Sequence, residues 1–326
     1  MLRNLTRFVL HCRLEDVMAA GVSALLLVFF LTTRIFVTFE LQGHDFIFIL
    51  LPAGILGVKC LLEILAADVK GAENSDTRKF VISFFKPFAK IVRDWFPFLL
   101  LSACYYALFT NLMLRVNPHT ADTFLSKLDA SLLGNQASFL LEPWINPWLT
   151  DFFSLVYFSY VFSLPAVALY FYLGRHEKAF RRVMMGYLTL MLMGITSYIL
   201  MPAIGPQNFF AAQYTHDLQG HAISRGVDYI IWIGRVDYDC FPSLHVGIPF
   251  LLSLYLYSYR NKMFVPALVY VAFMCCATIY LRYHYVVDVI ASFVYAPAAF
   301  WLNDFLLARW PGERILPPAR TVKTAP

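Results

Sequence analysis

Charge is scarce in this sequence. Of 326 residues only 14% are Asp, Glu, Lys or Arg, while 60% are hydrophobic and 17% aromatic. That excludes an ordinary soluble domain, in which about 25% of residues are charged. Cysteine is sparse too. Cys12, Cys60, Cys104, Cys240, Cys275 and Cys276 lie mostly in or beside apolar segments without paired spacing, so no disulfide framework or zinc site follows. A cleavable leader is not expected either. The N-terminus is basic and enters a long apolar stretch, but Arg34 interrupts its far end and no A-x-A-like site is evident. The first apolar stretch is therefore expected to remain as an uncleaved span. The formal net charge of +5 implies no nucleic-acid partner, because the distribution of the basic residues matters more than their sum.

What is abundant is apolar sequence in blocks about twenty residues long, the length that a bilayer core requires. Eight spans are expected, at 17–38, 46–66, 95–114, 152–173, 183–203, 244–259, 263–281 and 286–306. The fold class is thus an all-α integral membrane protein with about eight transmembrane helices. With the N-terminus in the cytoplasm, 19 of the 26 Lys and Arg fall on cytoplasmic segments. The opposite side keeps Arg34, Arg115, Lys127, Arg225, Arg235 and Arg282, and Lys59 lies within a span. The positive-inside rule then places both termini in the cytoplasm. No N-x-S/T acceptor occurs on the assigned outer face, and its loops are short. Both features favour a bacterial inner membrane with a periplasmic site over an ER or Golgi membrane. On the cytoplasmic side, 78–93 alternates basic and bulky apolar residues and is expected as an interfacial helix broken at Pro87. The basic, proline-rich tail from Trp310 is expected to be disordered. On the outer side, an amphipathic piece at Phe124–Leu133 precedes EPWINPW at 142–148, which suits an aromatic interfacial belt.

Two stretches carry chemistry. Tyr280–Ala291, YLRYHYVVDVIA, sets His284 four residues before Asp288 within an apolar run. On a helix that spacing stacks imidazole and carboxylate on one face, where Asp288 accepts the proton of one ring nitrogen. An ionisable pair inside a membrane segment is a functional site by default. The other stretch is Cys240–Gly247, CFPSLHVG, read as a helix start with Ser243 as cap and first-turn N–H groups ready for an anion. His245 falls in that first turn. The topology brings His245 and His284 to the same level on the outer side. Arg282, two residues before His284, is read either as an interfacial snorkelling residue or as a phosphate ligand.

PSLH at 242–245 and the His284…Asp288 pair resemble the second and third signature motifs of the type 2 phosphatidic acid phosphatase superfamily. That superfamily includes lipid phosphate phosphatases and, more distantly, vanadium haloperoxidases. The leucine of PSLH, YILMPAIGPQ at 198–207 and LDASLLG at 128–134 resemble the branch containing inositol phosphorylceramide synthases. The resemblance covers 125–304 and departs from the family pattern in three places. The first motif, K-x6-R-P, is absent, and PAIGPQ at 202–207 stands in its place. The glycine of the usual PSGH is Leu244. The arginine six residues before the third-motif histidine is Thr278, with Arg282 expected one helical turn away. The resemblance implies a six-helix phosphatase-like core at 95–307, preceded by a two-span region at 1–94 and followed by a tail at 308–326.

By the same resemblance, His284 is the nucleophile that forms a phosphohistidine, Asp288 holds its tautomer, and His245 is general acid and then base. Arg282, Ser243 and the backbone of Leu244 are expected to bind phosphate. Gln207, Arg235, Asp237 and Asp239 are candidate contacts for a head group or acceptor. No metal or other cofactor is required. The implied substrate is a phosphorylated lipid or phospholipid at the outer leaflet, and the acceptor is water, a polyol or a lipid hydroxyl. Eleven acids against six bases on the outer face either contact such hydroxyls or simply solvate the loops. Two readings from other classes stand beside this one: a proton-coupled transporter using the two histidines, and a His-ligated metal or haem protein. A CDP-alcohol phosphotransferase is disfavoured, because its multi-aspartate signature does not appear.

Overall fold

A computed structural model describes residues 12–33, 54, 57–58, 77–221, 223–234, 237–311 and 315. Among these residues the structure is helical, without strands, and carries one isolated parallel bridge between Ala203 and Asp239. The longer helices are α1 (Leu14–Thr33), α2 (Thr77–Val116), α3 (Asp122–Leu133), α4 (Pro147–Leu173), α5 (Glu177–Leu200), α6 (Ile223–Gly234), α7 (Leu244–Ser258), α8 (Phe264–Tyr280) and α9 (Val286–Arg309). Among the described residues, α4, α5 and α9 are long and apolar enough to cross a membrane, and α7 and α8 are apolar but shorter. This is a membrane protein. The span expected at 46–66 lies almost wholly outside the described residues.

Several expected boundaries move for identifiable reasons. Helix α4 begins five residues before the expected 152, because Asn146 accepts the Leu149 N–H at 3.0 Å as N-cap and Pro147 fits the first helical position. The EPWINPW segment is thus partly a helix start. Helix α2 runs unbroken through position 87, so the expected break there is not found; an interior proline removes one ladder bond without ending a helix forty residues long. Helix α5 begins at Glu177 and not at 183. It takes in Arg181 and Arg182, which the charge distribution had placed in a cytoplasmic loop, and it buries every side chain from 181 to 190.

Helices α5 and α7 form the centre, with 181–190 of α5 and most of α7 buried. Helix α5 packs on α2, α4, α7 and α9, while α7 packs on α4, α5, α8 and α9. Alternating chain direction gathers the ends of α2, α5 and α8 with the starts of α4, α7 and α9. We refer to this as the histidine end. The opposite end is held by ion pairs. Arg181, 4% exposed, bonds both oxygens of Glu15 at 2.6 and 3.0 Å. Arg182 bonds Asp304 at 2.6 and 2.7 Å and Ser258 at 2.8 Å, and its guanidinium faces the rings of Tyr255, Tyr259 and Phe300. Buried charges of this kind persist only when fully partnered. The tail expected to be disordered docks where it is described. The Trp310 indole donates to Cys12 O at 2.8 Å, and Ile315 is buried. The rest of the tail lies outside the described residues.

Candidate active site

The site is built around the turn from α8 to α9. Tyr283 N donates to Thr278 O at 3.0 Å and Arg282 N to Ile279 O at 3.0 Å, the bond pattern that closes a helix with one left-handed residue. That residue is Arg282, with φ of 64°, a conformation that costs a non-glycine residue about 1–2 kcal/mol. His284 N also bonds Thr278 O, at 3.2 Å. His284 therefore lies in a turn and not on a helix with Asp288, which corrects the expected helical stacking. It also means that Arg282 is not one helical turn beyond Thr278. Helix α9 starts at Val286, and Asp288 in its first turn accepts Tyr285 N–H at 2.8 Å, a capping-box contact. The pair still meets: His284 Nδ1 lies 3.4 Å from Asp288 Oδ2.

The shorter contact of His284 Nδ1 is with Cys240 O, at 2.9 Å. A carbonyl oxygen only accepts, so the network assigns the proton to Nδ1 and leaves the lone pair of the neutral ring on Nε2. The main tautomer-fixing partner is thus the Cys240 carbonyl, with Asp288 behind it. Asp288 Oδ2 also accepts from Cys240 Sγ at 3.0 Å. His284 Nε2 lies 3.3 Å from His245 Nδ1. On its far side, His245 Nε2 meets Tyr157 Oη at 2.9 Å. Tyr157 stacks on the His245 ring at 4.5 Å, and Tyr160 approaches it at 4.6 Å. His284 is 4% exposed, and His245 is half-buried. The expected pairing of two histidines from separate segments is present.

The other anticipated residues divide. Ser243 occupies the N-cap position of α7, but its buried hydroxyl makes no cap bond and has no hydrogen-bond partner; the backbone provides the tie instead, through Ser243 N to Asp288 O at 3.2 Å and Ser292 Oγ to Ser243 O at 2.6 Å. The Leu244 side chain turns onto α5, where a Cβ on Gly194 would come within 2.8 Å of it, so it does not narrow the site. Arg282 is buried, and its Nη2 donates to Glu142 Oε1 at 3.0 Å and His216 O at 2.8 Å, with the guanidinium 3.6 Å from the Tyr214 ring centroid. Its Nε has no partner. Burial pushes the Arg282 pKa down, against the opposing effects of Tyr214 and Glu142. These bonds make Arg282 a clamp on the 214–216 segment. Gln207 N donates to Arg282 O at 2.7 Å. Asp237 is exposed, Asp239 is half-buried beside Ala203, and Arg235 lies outside the described residues.

The model of the PAP2 superfamily matches residues 123–302, more than half of the chain, including both histidines and Asp288. This chain belongs to the PAP2 superfamily. Neither a curated protein nor a solved structure matches it. Within the PAP2 region, PAIGPQ supplies backbone support in place of a basic first motif. Gly205 has φ of 79°, and a Cβ there would lie 2.7 Å from Tyr283 O, so only glycine fits. Ile204 N and Gly205 N donate to Asp122 at 3.0 and 2.9 Å, and Tyr285 Oη donates to the same carboxylate at 3.0 Å. Asp129, in LDASLLG, accepts Val286 N and Val287 N at 2.8 and 2.9 Å. One acid of α3 thus caps α9 and another holds the strand-like PAIGPQ segment. Asp151 similarly accepts Ser224 N and His221 N at 2.9 and 3.1 Å. These carboxylates are internal fasteners, which corrects, for this subset, the expectation that acids assigned to the outer face solvate loops.

Sequence reasoning missed Asp122, Asp129, Glu142, Cys240 and Tyr157 as parts of the site. Three of these positions had visible signals: acids in short amphipathic or turn segments beside the motifs. Cys240 Sγ, His284 Nδ1 and an Asp288 oxygen lie within 4.8 Å of one another, the one grouping of metal-ligating types among the described residues. The short Cys240 O, Tyr285 N and Sγ contacts account for the ring nitrogen, Oδ2 and the thiol as hydrogen-bonding groups. In the structure these groups hydrogen-bond to one another and to the adjacent backbone.

Proposed function

We propose that this PAP2-superfamily protein is a membrane lipid phosphatase or phosphotransferase acting through a phosphohistidine on His284. The observation that carries the proposal is the polarity of the pair: Nδ1 of His284 is held by the Cys240 carbonyl, and Nε2 points its lone pair at His245, 3.3 Å away. In the first half-reaction Nε2 attacks phosphorus in line, and the bond from phosphorus to the leaving oxygen breaks. That oxygen takes the Nδ1 proton of His245 as an imidazolium. In the second half, the Nδ1 lone pair takes the proton of water or an alcohol as its oxygen attacks phosphorus and the P–N bond breaks. Asp288, next to Nδ1 of His284, offsets the positive charge that the phosphorylated ring carries. The partnerless Ser243 hydroxyl and the first turn of α7 are the proposed oxyanion donors.

In this proposal the chain crosses the membrane eight times, with residues 1–94 as a two-span region, 95–307 as the catalytic core and both termini in the cytoplasm. The histidine end then faces the outer leaflet, periplasmic in a bacterial cell. The likeness of LDASLLG and PAIGPQ to inositol phosphorylceramide synthases supports transfer of a head group to a polyol or lipid hydroxyl. The test is to incubate purified protein with lipid phosphates, phosphatidylinositol and ceramide, and to measure free phosphate and new phospholipid. Substituting His284→Ala is expected to abolish both products, and a wild-type rate in that variant would sink the proposed nucleophile.

A further inference from the structure

Tyr157 lies in α4, 88 residues before His245 and in neither signature motif, yet its hydroxyl is 2.9 Å from His245 Nε2. Its ring is pinned on two sides, by His245 at 4.5 Å and by Tyr283 at 4.5 Å. A hydrogen-bonded chain therefore runs from Tyr157 through both imidazoles to the Cys240 carbonyl. Its direction is set at the carbonyl end, which only accepts. His284 then has a lone pair on Nε2, so the neutral His245 ring presents N–H from Nδ1 and a lone pair from Nε2. The hydroxyl of Tyr157 is the donor that this lone pair needs.

We propose that Tyr157 is a positioning residue for His245: its hydroxyl holds Nε2, so that Nδ1 is the atom that gives and takes protons at phosphorus. The inference rests on the acid–base role of His245 proposed above. A phenol suits the task because it both donates and accepts. With a proton on Nδ1 alone, the hydroxyl donates to Nε2. With His245 as an imidazolium, Nε2–H donates to the hydroxyl oxygen. After Nδ1 delivers its proton to the leaving oxygen, Nε2–H stays on Tyr157, and the Nδ1 lone pair faces the incoming hydroxyl. The contact persists through the cycle with only a rotation of the O–H bond.

The test compares the full-length wild type, Tyr157→Phe and His245→Gln on phosphatidate, whose alkoxide leaving group needs a proton, and on p-nitrophenyl phosphate, whose leaving group does not. Tyr157→Phe keeps the stacking face and removes the hydroxyl. It is expected to lower kcat on phosphatidate about tenfold with KM unchanged, and on the aryl ester less than about twofold. Equal losses on the two esters would mean a structural role and overturn the inference. Nitrogen-15 NMR of histidine-labelled protein in bilayers, with the His245 signals assigned by their loss in His245→Gln, reads the contact without turnover. Tyr157→Phe should move the Nε2 signal and leave Nδ1 in place, and an unmoved Nε2 overturns the contact. A wild type inactive on both esters sinks the functional reading, and the NMR comparison still decides the role of Tyr157.

Discussion

Substituting Asp129→Ala removes the carboxylate with which α3 caps the start of α9, two residues after His284. The oxygens accept Val286 N–H at 2.8 Å and Val287 N–H at 2.9 Å, in a residue 1% exposed. Hydrogen bonds to an ionised partner contribute about 1.5–3 kcal/mol each, and a negative charge at a helix N-terminus adds about 0.3–2 kcal/mol. Opposing them is the burial of the carboxylate itself, which pushes the Asp129 pKa above its ordinary 3.8 in spite of both N–H bonds. The net loss is about 3 kcal/mol, which corresponds to about a hundredfold rise in the population of an opened turn. The predicted result is a fall in kcat of up to about a hundredfold with little change in KM, because the nucleophile loses its orientation and not its substrate. Hydrogen exchange in bilayers should quicken at Tyr285–Asp288, with α5 and α7 unchanged. Turnover within about twofold of wild type together with unchanged exchange at those amides would refute the reasoning.

Two further outcomes follow from the same turn and its neighbour. Because Arg282 has φ of 64°, Arg282→Gly and Arg282→Ala lose the same contacts, but only alanine keeps the left-handed strain; glycine should be the more stable by about 1 kcal/mol, read as the higher thermal midpoint. An alanine variant that matches or exceeds glycine would argue against this turn. Burial pushes the Glu142 carboxyl up, but bonds from Thr215 and His216 and the charge of Arg282 bring it below its ordinary 4.5. Its folded pKa is thus lower than its unfolded one, so its hold on 214–216 is complete above pH 4.5 and is lost as pH falls through the lower, folded value. Proteolysis at this segment, followed from about pH 6 down to about pH 3, should stay slow until below 4.5, and earlier cleavage would contradict the assignment.

The helical membrane architecture and the two-histidine site were legible because they rest on local signals: block hydrophobicity, and two short motifs whose order and side the topology predicts. What escaped was tertiary. His284 and Asp288 have helical spacing, but whether the helix contains both depends on the left-handed residue at Arg282 and on a cap delivered from α3. Neither is encoded near the motif. Arg282 was read from its place beside His284 in sequence, and its bond to Glu142, from a distant turn, had no local signal. Tyr157 carried no signal at all among so many aromatic residues in apolar helices. The acids assigned to an outer face were counted by expected topology, whereas Asp122, Asp129 and Asp151 are spent on backbone N–H groups that no count of charges reveals.

The ion pair between Arg181 and Glu15 bears on modularity. The family match begins at 123, which invites the view that α1 is an optional leader in front of a transplantable core. Yet Arg181, inside that core and 4% exposed, has its counter-ion on α1. Stripping α1 would remove both Glu15 bonds from a buried charge, and breaking a buried pair in this way costs about 3–5 kcal/mol. A chimera that grafts this core behind a foreign N-terminus keeps this ion pair only if it brings an acid to the place of Glu15.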